Sequence, residues 1–307
     1  MMRTAISPLL AIRIFFSTGA NVEPMDVAGS IPEPDLGHVG GSNEPPTVFT
    51  RGSWVVRHVR STTSTNAVLI AESEATAQAG QPIERTALMA DFQTAGRGRL
   101  DRTWEAPAGE NLMVSVMFPA DALEPVALTQ AVGVAAVTAV ETLQRAAFGP
   151  ERDAEEAVSI DQLGLKWPND VLLAGRKLAG VLAQRSLASG AIVVGIGLNV
   201  GWCPPGAASL AGDLGLECSP LDVLEALLDA LDHLLVASDA KEVAALYRDR
   251  LITVGQRVRV ELPNGESVIG RAEALADDGR LVVVDDIDGK PRVLDVGDIV
   301  HLRPAAD

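Results

Sequence analysis

Cysteine, tyrosine and long apolar runs are all scarce in this 307-residue sequence, which has two cysteines, one tyrosine and four histidines. Cys203 and Cys218 form neither a metal-binding spacing nor a disulfide framework, which is typical of proteins in a reducing compartment. The most apolar N-terminal run, Ile6 to Phe16, is interrupted by Arg13 and is shorter than the ~20 residues of a membrane-spanning helix. These absences predict a cytoplasmic protein with no membrane partner.

Basic residues are also scarce. The 25 lysines and arginines are outnumbered by 41 aspartates and glutamates, and the formal net charge is −16. Such a surface repels phosphate backbones, so we expect no nucleic-acid partner, and we expect any anion site to be local. Hydrophobic residues make up 47% of the chain, which is typical of a globular protein. At this length we expect a main domain of about 200 residues and a smaller one.

The sequence divides into a leader, a main domain, a connecting helix and a tail. Five prolines from Pro24 to Pro46 stand among glycine, serine and acids, a composition that cannot build a core, so we predict a disordered leader over 1–50. Regular apolar patterns predict a main domain over 51–237 and a connecting helix within 238–252. The tail, 253–307, consists of short β segments separated by turns.

The apolar patterns predict a sheet flanked by helices, which is the α+β class. The predicted strands are Trp54–Val59, Ala87–Phe92, Leu112–Phe118, Leu165–Leu173, Lys177–Arg185 and Ala191–Val200, and the predicted helices are Thr65–Ala77, Ala127–Ala147, Leu221–Val236 and Glu242–Arg250. Tight turns at Ala174-Gly175 and Ser189-Gly190 join consecutive strands, so we predict a mixed or antiparallel sheet. Five short strands in the tail predict a small β-barrel.

An arginine-rich loop, Gln93 to Trp104, carries the strongest chemical signal. Arg97, Arg99 and Arg102 lie among glycines that let a ligand approach the backbone closely. The planar guanidinium group suits carboxylate and phosphate oxygens, and Trp104 offers a flat face for a purine. Taken alone, Gly-Arg-Gly-Arg is better explained as an exposed loop whose arginines keep it soluble, because short motifs recur by chance.

A second segment, Lys166-Trp-Pro-Asn-Asp170, is followed closely by Lys177. Asn169 and Asp170 supply hard oxygen ligands that suit Mg²⁺, and the two lysines supply positive charge for phosphates and a carboxylate. The alternative is a Pro-Asn-Asp turn with solvated lysines, and for this segment alone the two interpretations are evenly balanced.

Two further segments are ambiguous by themselves. Ser64-Thr65-Asn66 offers side-chain hydrogen bonds at a predicted helix start, where a simple N-cap explains it equally well. Gly195-Ile-Gly-Leu-Asn-Val-Gly201 is similar to a dinucleotide fingerprint, but Val200 stands where that motif needs its third glycine and no βαβ unit follows. We prefer a strand whose glycines let Asn199 reach a ligand.

Together, and in the order in which they follow one another along the chain, the four segments resemble the biotin–protein ligase family over roughly Ser53 to Val236. The resemblance continues into the tail, where Val254–Val260 and Gly297–Arg303 are similar to the family's C-terminal SH3-like domain. It implies a class II synthetase-like catalytic domain in the form that lacks an N-terminal DNA-binding domain. The Pro-rich leader is too short for a helix-turn-helix domain, which agrees with that form.

The resemblance also implies a role for each matching residue. The residues at biotin-binding positions are Ser64, Thr65, Asn66, Gln93, Arg97, Gly98, Arg99 and Lys177. The residues at ATP- or adenylate-binding positions are Arg97, Arg99, Arg102, Trp104, Asn169 and Asn199. Lys177, Arg97 and Lys166 stand at catalytic positions, and Asp170 stands at the metal. One departure is Asp101, where the family usually has glycine, and which adds negative charge to the loop.

The implied activity is ATP-dependent formation of biotinyl-5'-AMP, followed by transfer of biotin to a lysine of the biotin carboxyl carrier domain of an acyl-CoA carboxylase. The expected small molecules are ATP, biotin and Mg²⁺. Three alternatives stay open: a lipoate–protein ligase with the same fold and chemistry, a biotin-dependent transcriptional regulator, and a non-catalytic biotin sensor. The acidic balance disfavours the regulator because it opposes DNA binding.

Overall fold

The computed structural model describes residues 45–99, 102–149, 160–262, 265–295 and 298–301. Most of the predicted leader, up to residue 44, and Asp101 lie outside the described residues. The end of the leader prediction is wrong, because Thr47–Arg51 forms strand β1 and pairs antiparallel with β2 (Trp54–Thr62). Phe49 of β1 packs against the core, so ordered structure begins inside the predicted leader.

Eight strands form the main sheet. The remaining six are β3 (Thr86–Gln93), β4 (Leu112–Phe118), β5 (Leu163–Lys166), β6 (Asp170–Leu173), β7 (Arg176–Arg185) and β8 (Ile192–Leu198). Their order across the sheet is β1-β2-β3-β4-β8-β7-β6-β5. Strands β2 and β3 are parallel, and the other neighbouring pairs are antiparallel, which confirms the predicted mixed sheet.

Helices cover both faces of this sheet. They are α1 (Thr65–Gln78), α2 (Pro125–Phe148), α3 (Leu210–Leu214), α4 (Pro220–Ala237) and α5 (Ala240–Asp249), with a 3₁₀ turn at Ile160–Gln162. Within the described residues, α2 is long and apolar enough to cross a membrane by length and composition, but 61% of its apolar window is buried inside the protein. It packs against α4, α5 and β7 and forms the centre of the large core.

The two-residue alternation of each strand decides which side chains reach each face of the sheet. Val114 and Val116 of β4 are buried in the large core beneath α2. Ser115 lies between them and faces α1, where its hydroxyl contacts a helix side chain. Gly195 and Gly197 of β8 lie on the same face as Ser115. The face that carries α1 therefore combines small residues with polar side chains.

The run predicted as one strand, Leu165–Leu173, is in fact two strands. A turn that contains a cis Trp167–Pro168 peptide separates β5 from β6, and Lys166 pairs with Asp170 across the hairpin. Proline has no amide hydrogen for a continuous ladder, so the apolar run breaks at this point. The hairpin places Asn169 in its turn and Asp170 at the start of β6.

The tail forms a second, antiparallel sheet of five strands. They are β9 (Arg257–Glu261), β10 (Ser267–Leu275), β11 (Leu281–Asp285), β12 (Pro291–Leu294) and β13 (Asp298–His301), in the order β12-β11-β10-β9-β13. The turn glycines Gly279 and Gly289 both have positive φ, at 84° and 66°, a conformation that glycine adopts without strain. Five strands in this region agree with the prediction.

Trp167 links the two sheets. Its indole N–H donates to the carbonyl of Gly279 at 2.9 Å, and its backbone N–H donates to Thr253 Oγ1 at 3.0 Å. Gly37–Asp307 forms one compact unit, so the boundaries proposed at 51–237, 238–252 and 253–307 stay a prediction.

Candidate active site

A cavity of about 120 Å³ opens on the α1 face of the main sheet. The predicted site residues that line it are Ser64, Thr65, Asn66, Gln93, Arg97, Gly98, Arg99, Arg102, Trp104, Asn169, Asp170 and Lys177. They come from the start of α1, the arginine-rich loop, the β5–β6 hairpin and β7. Four separate parts of the chain thus converge on one cavity.

The floor of the cavity is a chain of buried hydrogen bonds. Asn66 donates to Gln184 Oε1 at 2.8 Å and to the Leu182 carbonyl at 3.2 Å. Ser115 Oγ lies 2.5 Å from Asn66 Oδ1 and 2.6 Å from Thr65 Oγ1. The amide oxygens of Asn66 and Gln93 can only accept, so the single Ser115 proton goes to Asn66 and the single Thr65 proton is shared between the Ser115 and Gln93 oxygens. Thr65 Oγ1 then keeps its lone pairs as acceptors.

Gln93 ties the arginine-rich loop to this floor. Its side-chain oxygen accepts the Thr65 backbone N–H at 2.8 Å and lies 3.1 Å from Thr65 Oγ1. The contact satisfies one of the unpaired N–H groups at the start of α1. Because Gln93 ends β3 and Thr65 begins α1, the sheet and the helix hold the polar floor in place together.

Two glycines leave room for larger side chains above β8. A Cβ on Gly195 would lie 2.4 Å from Asn66 Oδ1, and a Cβ on Gly197 would lie 2.3 Å from Trp104 Cε2. No real Cβ tolerates such distances, so glycine at both positions is what lets the Asn66 and Trp104 side chains lie where they do. The Trp104 indole therefore lies directly over the backbone of β8, and its buried Nε1 has no hydrogen-bond partner among the described residues.

The loop itself folds back as a small hairpin over the cavity. Arg97 and Thr103 form an isolated antiparallel bridge, and the Trp104 N–H donates to the Gly96 carbonyl at 3.1 Å. Arg99 Nη1 donates to Asn169 Oδ1 at 3.2 Å, while Asn169 Nδ2 donates to the Val181 carbonyl at 2.7 Å. Leu100 and Asp101 lie outside the described residues. The loop is thus joined to the β5–β6 hairpin across the cavity.

One ion pair lies on the cavity wall. Lys177 Nζ is 2.7 Å from Asp170 Oδ1 and 5.7 Å from the centroid of the Trp104 ring. Below it, burial and then the charge of Asp170 raise the pKa of the Tyr247 phenol, whose hydroxyl donates to the Pro168 carbonyl at 3.3 Å. Tyr247 therefore stays protonated and acts as a hydrogen-bond donor to the hairpin turn.

The sequence matches known proteins over both sheets. The Biotin/lipoate A/B protein ligase family matches residues 59–201, and the Biotin protein ligase C terminal domain matches residues 253–302. The biotin--[acetyl-CoA-carboxylase] ligase of Mycobacterium tuberculosis is 39% identical over 255 residues, which cover 80% of this chain and 88% of that protein. The chain belongs to the biotin protein ligase family.

Solved structures of the family have the same fold. The biotin protein ligase from Aquifex aeolicus in complex with biotin and ATP has a TM-score of 0.59 at 23% identity, over 80% of this chain and 99% of that one. The biotin protein ligase from Leishmania major in complex with biotinyl-5-AMP has a TM-score of 0.52 at 26% identity, over 78% and 98% of the two chains. These matches confirm the α+β fold predicted from the sequence.

Two residues that the family resemblance assigned to the site do not line the cavity formed by the described residues. The Asn199 side chain is buried, and it donates to the Ala208 carbonyl at 2.9 Å and accepts from Asn111 at 3.2 Å. These contacts hold the segment after β8, so this geometry gives no support to an adenylate contact. Lys166 ends β5, next to the hairpin turn, and its proposed phosphate contact also gains no support here.

The sequence analysis missed several residues that line the biotin protein ligase cavity. They are Thr103, Val114, Ser115, Gly180, Val181, Leu182, Gly195, Ile196 and Gly197. The glycines of β8 were noticed as a motif, and the structure explains them by the space that Asn66 and Trp104 need. Ser115 had no signal of its own, because the run Leu112–Phe118 predicts only a buried strand.

Acidic residues for a metal ion are few in this site. Among the described residues, no group of three or more histidine, cysteine, aspartate or glutamate side chains could hold a metal ion. Mg²⁺ that travels with ATP needs only one or two protein carboxylates, because phosphate oxygens and water supply the other ligands. Asp170, on the cavity wall, fits that limited requirement.

Proposed function

We propose that this biotin protein ligase converts biotin and ATP to biotinyl-5'-AMP and transfers biotin to a lysine of a biotin carboxyl carrier domain. The observation that carries the proposal is the single cavity in which a neutral polar floor meets three arginines and Lys177. The activity for which the Mycobacterium tuberculosis relative is named and the ligands of the two solved structures support it. We further propose that the protein acts in the cytoplasm.

The floor suits the ureido ring of biotin. That ring carries two N–H donors and one carbonyl acceptor, all uncharged. Thr65 Oγ1 has free lone pairs for an N–H, and the Gln93 amide supplies a donor for the carbonyl. Lipoate has a dithiolane ring without N–H groups and would leave these buried groups unpaired, which costs free energy. The polar floor therefore favours biotin over lipoate.

The first half-reaction must bring two anions together. The biotin carboxylate attacks the α-phosphorus of ATP; a C–O–P linkage forms, the bond to the β-phosphate breaks, and pyrophosphate leaves with the electron pair. Arg97, Arg99 and Lys177 offset the repulsion between carboxylate and triphosphate, and they are fixed in the cavity before the charges meet. We propose that Asp170 holds Mg²⁺ on the phosphate oxygens, where the metal would neutralise the charge of the pyrophosphate.

The mixed anhydride reacts with water, so it must be covered until the carrier arrives. The Arg97–Thr103 hairpin and the Trp104 indole cover the cavity, and the Arg99–Asn169 hydrogen bond joins the loop to the opposite wall. We propose that this loop excludes water and retains the adenylate. Arg102 lines the same cavity and adds positive charge beside the phosphate.

Transfer to a carrier domain tests the proposal directly. The purified chain is incubated with MgATP, biotin and a biotin carboxyl carrier domain, and the intact mass of the carrier is measured. We expect one biotinyl addition that needs ATP and disappears when the acceptor lysine of the carrier is replaced by arginine. A mass gain with lipoate in place of biotin would favour the lipoate ligase. Biotin binding without pyrophosphate release would favour the interpretation as a non-catalytic biotin sensor.

A further inference from the structure

A second cavity, of about 260 Å³, adjoins the active site. It shares four lining residues with the first cavity: Arg99, Asn169, Val181 and Leu182. The 3.2 Å hydrogen bond from Arg99 to Asn169 joins two of these shared residues. The walls of the two cavities therefore have in common one hydrogen-bonded side-chain pair and two residues of β7.

Most of the remaining wall residues of the second cavity come from parts of the chain that the first cavity does not use. Val126 and Thr129 lie in the first turns of α2, Tyr247 lies in α5, and Gly279 and Asp295 belong to the C-terminal sheet. Val126 is 50% exposed, so the cavity opens to solvent between α2 and the second sheet. A partner protein seated there would contact both sheets.

The residues of these walls suit the passage of a side chain better than they suit catalysis. The Tyr247 hydroxyl already donates to the Pro168 carbonyl, and its raised pKa keeps it protonated, so it does not act as a base at neutral pH. Val126 and neighbouring apolar groups suit a methylene chain, and Asp295 supplies a negative charge near the opening. A lysine side chain has this combination of an apolar stem and a cationic tip.

We propose that the second cavity admits the acceptor lysine of the carrier domain to the adenylate. This inference rests on the proposed function, which assigns biotin and ATP to the first cavity and leaves the third substrate without a route. Because the arginine-rich loop lies over the first cavity, the lysine needs an approach from the side. The shared wall at Arg99 and Asn169 supplies one, and the incoming lysine has to part their hydrogen bond to reach the adenylate.

The transfer step balances along this route. The lysine ammonium releases one proton to solvent, and the resulting amine attacks the acyl carbon of the adenylate. A C–N bond forms, the bond from the acyl carbon to the phosphate oxygen breaks, and AMP leaves with that electron pair. The nitrogen then releases a second proton to water and becomes the amide.

Val126→Trp tests the route, because it narrows the second cavity at a residue that does not line the first. The matched control is Val236→Trp in α4, where the side chain is 87% exposed and lines neither cavity. For each protein, adenylate formation is measured as pyrophosphate release and as biotinyl hydroxamate trapped by hydroxylamine. Transfer is measured as mass gain on a purified biotin carboxyl carrier domain, and folding is measured by thermal unfolding.

The expected result for Val126→Trp is a split between the two half-reactions. Pyrophosphate and hydroxamate formation should stay within about twofold of the control, while kcat/KM for the carrier should fall about tenfold or more. Transfer equal to the control would overturn the inference. Loss of adenylate formation with unchanged thermal unfolding would also overturn it, because the cavity would then hold ATP or biotin.

Two further arms keep the test decisive. If Val126→Trp does not fold, Val126→Lys at the same exposed position is judged by the same criteria, since its ammonium would repel the incoming lysine. If the wild-type chain forms no adenylate with biotin and ATP, the proposed function itself fails. If the wild-type chain forms adenylate and the Val126→Trp variant transfers biotin to the carrier normally, only the proposed route is refuted.

Discussion

The ammonium of Lys177 lies 2.7 Å from the carboxylate of Asp170. Lys177 is on β7 and Asp170 begins β6, so two adjacent strands hold the pair on the cavity wall. The carboxylate keeps the ammonium directed into the cavity before any substrate is bound. When the anionic substrates enter, the same ammonium can turn to them, and the carboxylate becomes available to a metal ion.

Lys177→Ala should therefore slow adenylate formation. It removes a cation that offsets the repulsion between carboxylate and triphosphate, and removal of one such group lowers kcat by about 10²–10³. Pyrophosphate release in the presence of biotin and ATP measures the effect. Lys241→Ala, at an exposed position of α5, is the matched control. A Lys177→Ala variant as fast as this control would show that the lysine takes no part in the chemistry.

Arg99→Ala should make the enzyme release its adenylate. The substitution removes the hydrogen bond to Asn169 that joins the arginine-rich loop to the β5–β6 hairpin. We expect more free biotinyl-5'-AMP and more labelling of lysines on a bystander protein such as serum albumin. Arg97→Ala should act in the same direction because Arg97 lies in the same hairpin. If Arg99→Ala retains adenylate as well as the control Arg185→Ala, the loop is not a clamp.

Much of the fold followed from apolar periodicity. The strand predicted at Leu112–Phe118 is observed with the same ends, and the helix predicted at Thr65–Ala77 ends one residue later. The strand over Leu165–Leu173 was wrong because the run Trp167-Pro168 interrupts it with a turn. Strand β1 was missed because its short apolar pattern adjoins the prolines of the leader.

The candidate site was predicted best where a motif concentrates charge. Arg97, Arg99 and Lys177 are recognisable in the sequence because cations are scarce in this acidic chain. Ser115 could not be found in the same way, since its place on the α1 face depends on which strands flank β4. The role of Asn199 stays a prediction, because a polar residue after a glycine-rich strand end can bind a ligand or the neighbouring backbone, and here its side chain donates to the Ala208 carbonyl.

Trp167→Phe should weaken the link between the two sheets. It removes the indole N–H that donates to Gly279, a partly buried hydrogen bond whose loss costs about 1 kcal/mol. Trp54→Phe is the matched control, because the buried Trp54 Nε1 has no hydrogen-bond partner among the described residues. Urea unfolding should show a larger loss of stability for Trp167→Phe. Equal losses would mean that the hydrogen bond contributes nothing beyond the lost ring volume.

The free energy of unfolding should fall at high pH because of the Cys218 thiol. Burial, and then the charge of Asp222, raises the pKa of this thiol from 9.0 to about 11. The folded protein keeps the thiol protonated where the unfolded chain has lost the proton, so this stabilisation is complete below pH 9 and is lost as the pH rises to 11. Urea unfolding of wild type and Cys218→Ala should differ by a constant amount up to pH 9. Between pH 9 and 11 wild type should lose more stability, and parallel curves over that range would contradict the assignment.

Gly197→Ala should displace the Trp104 indole from the cavity. The added Cβ would lie 2.3 Å from Trp104 Cε2, and the partly exposed indole can move more readily than the central strand β8. We expect weaker biotin and ATP binding, by about tenfold, because the ring would no longer be pre-positioned. Isothermal titration of each ligand measures this. A double-mutant cycle isolates the cause: in a Trp104→Ala background, Gly197→Ala should have almost no further effect on affinity. An undiminished effect in that background would mean that the methyl group acts on the backbone of β8 and not through the indole.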